Sequence, residues 1–158
     1  MELFVVRHSA AAPRSEALPD RERALTAKGR RDARALAKAL SGLGVTLDRL
    51  YHSPWRRAVE TAEALSGLVR GETVVTERLA EPPGPELLEI LGGERVAVVG
   101  HQPRLGELVH WLLLGTKGTG GWLDFKKSCV LWLEGEPAPG QMTLRALLPP
   151  RISRTLAR

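Results

Sequence analysis

The chain has 158 residues, 43% of them hydrophobic and 26% charged, with a formal net charge of +5. That is the composition of a globular domain able to bury roughly 70% of its unfolded surface, so one domain over residues 1–158 is expected. Cys129 is the one cysteine, which excludes an internal disulfide, and no apolar run approaches the roughly 20 residues of a bilayer span. Met1-Glu2-Leu3 also lacks the basic start of a secretory signal, so a cytoplasmic location without a membrane partner is expected. The basic balance permits nucleic-acid binding. However, basic residues are spread along the chain, apart from the stretch 21–34 and the tail Arg151 to Arg158, and do not interleave with aromatics. A basic funnel for phosphorylated substrates is the more economical reading, with nucleic acid not expected as a partner.

In chain order, residues 2–6 predict a buried strand, followed by a loop to about residue 25. A helix is predicted over 27–42, with Ala33, Leu36, Ala37 and Leu40 on one face and Arg30, Arg31, Arg34 and Lys38 largely elsewhere. A strand follows at 48–52. Ser53 as N-cap and Pro54 at the first helical position open a helix to about 69. Next come a strand at 72–77, a loop with Pro82, Pro83 and Pro85, and a short helix at 86–91. A strand at 95–99 and a helix at 104–114 follow. The connection with glycines at 115, 118, 120 and 121 is expected to be mobile. Strands at 128–134 and 141–147 form a hairpin, and the tail beyond Pro149-Pro150 is expected to fray. The alternation predicts an α/β fold with a central, mostly parallel sheet flanked by helices.

Chemistry-bearing residues gather at the element ends. The apolar run Leu3-Phe4-Val5-Val6 stops at Arg7-His8, and Val96-Ala97-Val98-Val99-Gly100 stops at His101. Ligands of open α/β sheets bind just outside the carboxyl ends of strands. Arg57 falls in the first turn of the predicted helix, where free N–H groups and the helix dipole favour an anion. Two histidines and two arginines so placed outline a phosphate site. Arg56 reads as a solvated helix position, and His52 and His110 as packed or surface residues. The four histidines lack metal-ligand spacing, and no phosphate-cradling glycine loop or dinucleotide fingerprint is present, so neither metal nor cofactor is expected.

Val6-Arg7-His8, the run Ser53-Pro54-Trp55-Arg56-Arg57-Ala58-Val59-Glu60-Thr61-Ala62 and Val98-Val99-Gly100-His101-Gln102-Pro103 together resemble the signature of the histidine phosphatase superfamily. The short length and the segment Arg23-Ala24-Leu25-Thr26-Ala27-Lys28-Gly29 are most similar to its SixA-type phosphohistidine phosphatase branch. The resemblance implies a three-layer, phosphoglycerate mutase-like fold. It also implies a metal-independent phosphatase in which His8 attacks phosphorus and carries the phosphoryl group, a two-step displacement. Arg7 and Arg57 would bind its oxygens. His101 would join them as an imidazolium, and Arg23 would either face the phosphate or stand as a surface charge. Glu81 in Arg78-Leu79-Ala80-Glu81 matches a general acid of many superfamily members, which the SixA-type branch generally lacks. Ser9 replaces the usual glycine, adding a hydroxyl that could reach phosphate or His8.

The substrate implied is a protein phosphohistidine, with a small phosphorylated metabolite in a phosphomonoesterase or mutase reaction as the alternative. The residues between the second strand and His101 leave little room for large specificity insertions. A non-catalytic phosphoprotein-binding module is the reading from another class, and intact His8, Arg7, Arg57 and His101 argue against it. A monomer is expected.

Overall fold

The computed structural model describes residues 1–158. Six strands form one mixed sheet: β1 (Glu2–Arg7), β2 (Leu47–His52), β3 (Val69–Val75), β4 (Arg95–Gly100), β5 (Val130–Gly135) and β6 (Met142–Leu148). Their spatial order is β3-β2-β4-β1-β5-β6. β3, β2, β4 and β1 are parallel, while β5 runs antiparallel to β1 and β6 antiparallel to β5. The sheet is therefore parallel where strands alternate with helices and antiparallel in the closing hairpin.

β1 lies between β4 and β5, and Leu3 to Val6 are all fully buried. A strand covered on both faces needs no polar alternation, hence the continuous apolar run. Its side chains still alternate between two cores. Leu3 and Val5 join Val98, Leu105, Leu108 and Leu112 beneath α4 (Arg104–Leu114). Phe4 and Val6 join Leu36 and Leu40 of α1 (Ala27–Gly42) and Ala58 and Ala62 of α2 (Arg56–Leu65). The short α3 (Pro85–Ile90) adds Leu87 to the first core.

Two expectations are corrected. The tail does not fray: Pro150–Leu156 form α5, which packs on α1. Pro150 sits at the helix start, where its missing N–H costs nothing, so the Pro149-Pro150 pair begins a helix rather than ending order. Arg154 Nη1 donates to Asp32 Oδ1 of α1 at 3.0 Å, and Ser153 is buried at the contact. Ser53 and Pro54, for their part, precede α2 rather than open it: the helix begins at Arg56 after Trp55. The Ser53 hydroxyl accepts only from Trp55 N–H, because its main partner is His101 at the end of the neighbouring β4.

The start of α1 shows why its local sequence is so particular. Thr26 Oγ1 accepts from Gly29 N–H, and its own hydroxyl donates to the Ala10 carbonyl at 3.3 Å. A Cβ on Gly29 would collide with that same Ala10 carbonyl oxygen, so this helix can dock on the His8 loop only through glycine. The connection 115–128 is tied down at several points. Lys117 Nζ donates to the Pro83 carbonyl at 2.6 Å, Trp122 Nε1 donates to His110 Nδ1 at 3.0 Å, and Phe125 is buried.

Candidate active site

The register of β1 on β4 pairs Arg7 with Gly100, so His8 and His101 leave adjacent parallel strands side by side. Their ring centroids are 5.2 Å apart. Both rings are almost fully buried. His8 Nδ1 bonds the Ser9 carbonyl at 2.7 Å, which makes Nδ1 the protonated nitrogen and leaves Nε2 unprotonated. Arg57 Nε–H points at that Nε2 from 3.3 Å. Burial, then the charges of His101, Arg57 and Arg7, push His8 down to about 3, against the opposing pull of the Ser9 carbonyl. The ring is neutral across the physiological range.

Before an anion binds, the His101 ring is favoured in its neutral form rather than as the expected imidazolium. Burial first, then the Arg57 charge with those of Arg23 and Arg7, take it down to about 4 despite Asp20. Its Nε2 bonds Ser53 Oγ at 2.7 Å, while Nδ1 is buried without a partner. A neutral ring that accepts Ser53 O–H at Nε2 can donate Nδ1–H to an arriving oxygen. Arg7 shows the same signature: Nη1 donates to the Phe125 carbonyl at 2.7 Å, but the buried Nε has no partner. Buried donors without partners are rare, and two of them flank His8, one on the residue before it and one on the ring 5.2 Å away, which marks a place for an anion.

Arg57, 4% exposed, stands in the first turn of α2 with its guanidinium carbon 4.8 Å from the Trp55 ring centroid. Its Nη1 donates to the Asp20 carbonyl at 2.7 Å and its Nη2 to Asp20 Oδ2 at 3.3 Å. Asp20 also accepts from Arg23 Nε at 2.7 Å and Arg14 Nε at 3.2 Å. Partial burial raises the Asp20 carboxyl, but the Arg23 hydrogen bond and the Arg57, Arg23 and Arg14 charges outweigh it and hold it below its usual range. Asp20 is thus a fixed negative charge that aligns guanidinium groups. Arg23 joins the site through Asp20, with Nη1 on the Ala12 carbonyl at 2.7 Å. Lys127 borders the same group: burial first, then Arg7, Arg23 and Arg57, lower its ammonium.

The cleft measures about 200 Å³ and is lined by Asp20, Trp55, Arg57, Ala80, His101 and Arg104 among others. Larger hollows of about 550 Å³ at Pro82–Pro83 and about 330 Å³ between α1 and α2 contain no unpartnered buried donor, so size does not mark the site. Four sequence candidates, Arg7, His8, Arg57 and His101, come together, and Arg23 stands one carboxylate away. Glu81 does not join them. Its side chain is half-exposed and paired with Arg78 at 3.3 Å, while its neighbour Ala80 takes the place on the cleft wall. Arg56 is exposed and paired with Glu60, His52 bonds the Ser53 carbonyl, and His110 holds Trp122. The Ser9 hydroxyl bonds Ser128 rather than the His8 ring.

Sequence reasoning missed Asp20, the Ser53 partnership with His101, and Thr61. Thr61 alone left a signal: four residues after Arg57, it faces the same side of α2, where its hydroxyl donates to the Arg57 carbonyl at 2.7 Å. The arrangement presents an unprotonated ring nitrogen amid guanidinium groups and unfilled donors, so it can bind a phosphoryl group and attack its phosphorus.

Residues 3–83 match the family model of the histidine phosphatase superfamily (branch 1). Phosphohistidine phosphatase SixA of Escherichia coli is 33% identical over 126 residues, covering 73% of this chain and 76% of SixA. A functionally uncharacterised protein of Picosynechococcus sp. is 32% identical over 146 residues, covering 87% of each chain. The structure of the protein histidine phosphatase SixA complexed with tungstate superposes with a TM-score of 0.79. It is 27% identical, with 96% of this chain and 98% of that one covered.

Proposed function

The chain belongs to the histidine phosphatase superfamily and is a phosphatase; on that basis we propose that it is a metal-independent, cytoplasmic phosphohistidine phosphatase acting on proteins. His8 Nε2 attacks phosphorus, and the bond from phosphorus to the substrate imidazole breaks, its electron pair going to the leaving nitrogen while a proton taken from solvent sits on that ring's other nitrogen, so that neutral imidazole departs. Water then cleaves the His8–phosphorus bond, yielding inorganic phosphate and neutral His8. Arg7, Arg57 and His101 Nδ1–H bind the non-bridging oxygens, where charge spreads in a phosphoryl-transfer transition state. Arg23 and Lys127 add to the positive field, and the guanidinium groups supply the charge stabilisation that a metal supplies elsewhere.

One observation carries the substrate class. The single carboxyl lining the cleft, Asp20, is clamped in its ionised form by arginines, and Glu81 is turned away. No side-chain carboxylic acid is therefore placed to protonate a leaving alkoxide, which an alcohol ester needs and the imidazole of phosphohistidine does not. The small cleft also suits a phosphoryl group presented on a protein better than an engulfed metabolite. E. coli SixA, a phosphohistidine phosphatase by name, points the same way.

The test is phosphate release from a phosphohistidine-bearing protein, comparing the unaltered chain with His8→Ala, with and without a chelator. Rapid, chelator-insensitive release lost in His8→Ala is expected. No release, with His8-dependent cleavage of p-nitrophenyl phosphate instead, would shift the substrate class to phosphomonoesters. Failure on both substrates would leave a binding module.

A further inference from the structure

The carbonyl that fixes the His8 ring belongs to Ser9, where this chain departs from the glycine of the resemblance. The Ser9 side chain is fully buried. Its hydroxyl accepts from Ser128 Oγ–H at 2.7 Å. Ser128 is itself 1% exposed and sits at φ 61°, the one non-glycine residue of the chain with positive φ. A side chain there costs conformational energy that glycine would avoid. Ser128 N–H turns back toward the carbonyls of Arg7 at 3.2 Å and His8 at 3.3 Å. On its other side, Ser9 N–H donates to Thr61 Oγ1 at 3.0 Å, and Thr61 in turn holds the Arg57 carbonyl. The Ser9 peptide is thus pinned from α2 and from the turn before β5, and a strained residue with a hydroxyl stands where a relaxed glycine would fit.

We propose that the buried Ser9–Ser128 hydroxyl pair is a positioning device for the nucleophile: it locks the Ser9 carbonyl against His8 Nδ1–H and so keeps Nε2 unprotonated and aimed at phosphorus. The inference rests on His8 as the attacking group. Neither serine touches the reacting atoms, and both act through the Ser9 carbonyl. Because the two hydroxyls form one bond, losing either should cost the same as losing both.

The experiment follows phospho-His8 formation from phosphoramidate in single turnovers for the unaltered chain, Ser9→Ala, Ser128→Gly and the double variant. Thermal midpoints and ¹⁵N spectra of the His8 ring are recorded alongside. Each single change is expected to lower the maximal rate about tenfold, with the half-saturating concentration within about twofold, since small misplacements of a reacting group weigh on the chemical step. The double variant should be no slower than either single one. The His8 ring should pass from one Nδ1–H tautomer to a mixture. Ser128→Gly relieves the positive φ and should hold its thermal midpoint, so a folded but slower protein separates positioning from stability. Rates within twofold of the unaltered chain, additive losses in the double variant, or an unchanged tautomer would overturn the inference while leaving the proposed function standing. Absence of phospho-His8 in the unaltered chain would overturn both.

Discussion

His8 and His101 are neutral because a positive charge on either ring would be stripped of water and placed among guanidinium groups. Arg57 serves that cluster with three separate donors: one to His8 Nε2, one to the Asp20 carbonyl and one to its carboxylate. A lysine offers a point charge without this fork. Arg57→Lys is accordingly expected to lower kcat for phosphate release about 100-fold, a loss typical for a charge-stabilising donor; steady-state kinetics would show it, and a change below threefold would contradict the assigned role. Ser53→Ala should act through His101, removing the hydroxyl that settles its tautomer, with a loss of about tenfold in kcat in a protein that still folds. Arg7, His8, Arg57 and His101 were legible in the sequence because each ends or directly follows a strand or lies in the first turn of a helix, where chemistry collects. Asp20 was not, since an aspartate in a single short helical turn has no periodic signature and its role depends on arginines at 14, 23 and 57. The Phe125 carbonyl that holds Arg7 is a backbone group, which side-chain identity does not announce.

Among the elements, buried strands were the most readable. β1 and β4 are covered on both faces, so they appear as unbroken apolar runs whose ends locate the cleft. Element starts read less well, because proline and serine carry two meanings. Pro150 begins α5 although a Pro-Pro pair suggests a chain end, and Ser53 gives its hydroxyl to His101 rather than to the cap of α2. α5 makes a test of its own. It covers α1 at Asp32, a buried carboxylate that accepts from Lys28 Nζ at 2.7 Å and Arg154 Nη1 at 3.0 Å. Arg154→Ala should cost less than about 1 kcal/mol, because that guanidinium is half-exposed. Deleting residues 150–158 should cost more by uncovering α1, and each kcal/mol lost would lower the thermal midpoint by roughly 2–4 °C. Equal midpoints for the deletion and the intact chain would show that α5 contributes nothing to the fold.

For the whole molecule, the same neutral histidines set a dependence of stability on pH. His8 and His101 ordinarily titrate near 6.5 but are held at about 3 and about 4 in the fold. Above pH 6.5 neither state binds these protons, so the two rings add no slope. Below it the unfolded chain takes up two protons that the folded chain refuses, and stability falls as pH falls. The loss should run at up to about 1.4 kcal/mol per pH unit for each histidine, ending near pH 4 for His101 and near pH 3 for His8. Denaturant titrations between pH 7 and pH 4.5 would reveal it, and His101→Gln should make the dependence shallower. A flat profile over that range would mean the rings are not desolvated as described.

The account as a whole stands on a covalent bond between phosphorus and His8 Nε2. The most direct measurement is to quench the reaction with a phosphohistidine-bearing protein within milliseconds, in alkali where phosphohistidine survives, and to map the transferred phosphoryl group by peptide mass spectrometry. The account expects label on the peptide containing His8, appearing before free phosphate and absent in His8→Ala. Phosphate released at full rate with no label on His8, or label that persists in His8→Ala, would contradict it.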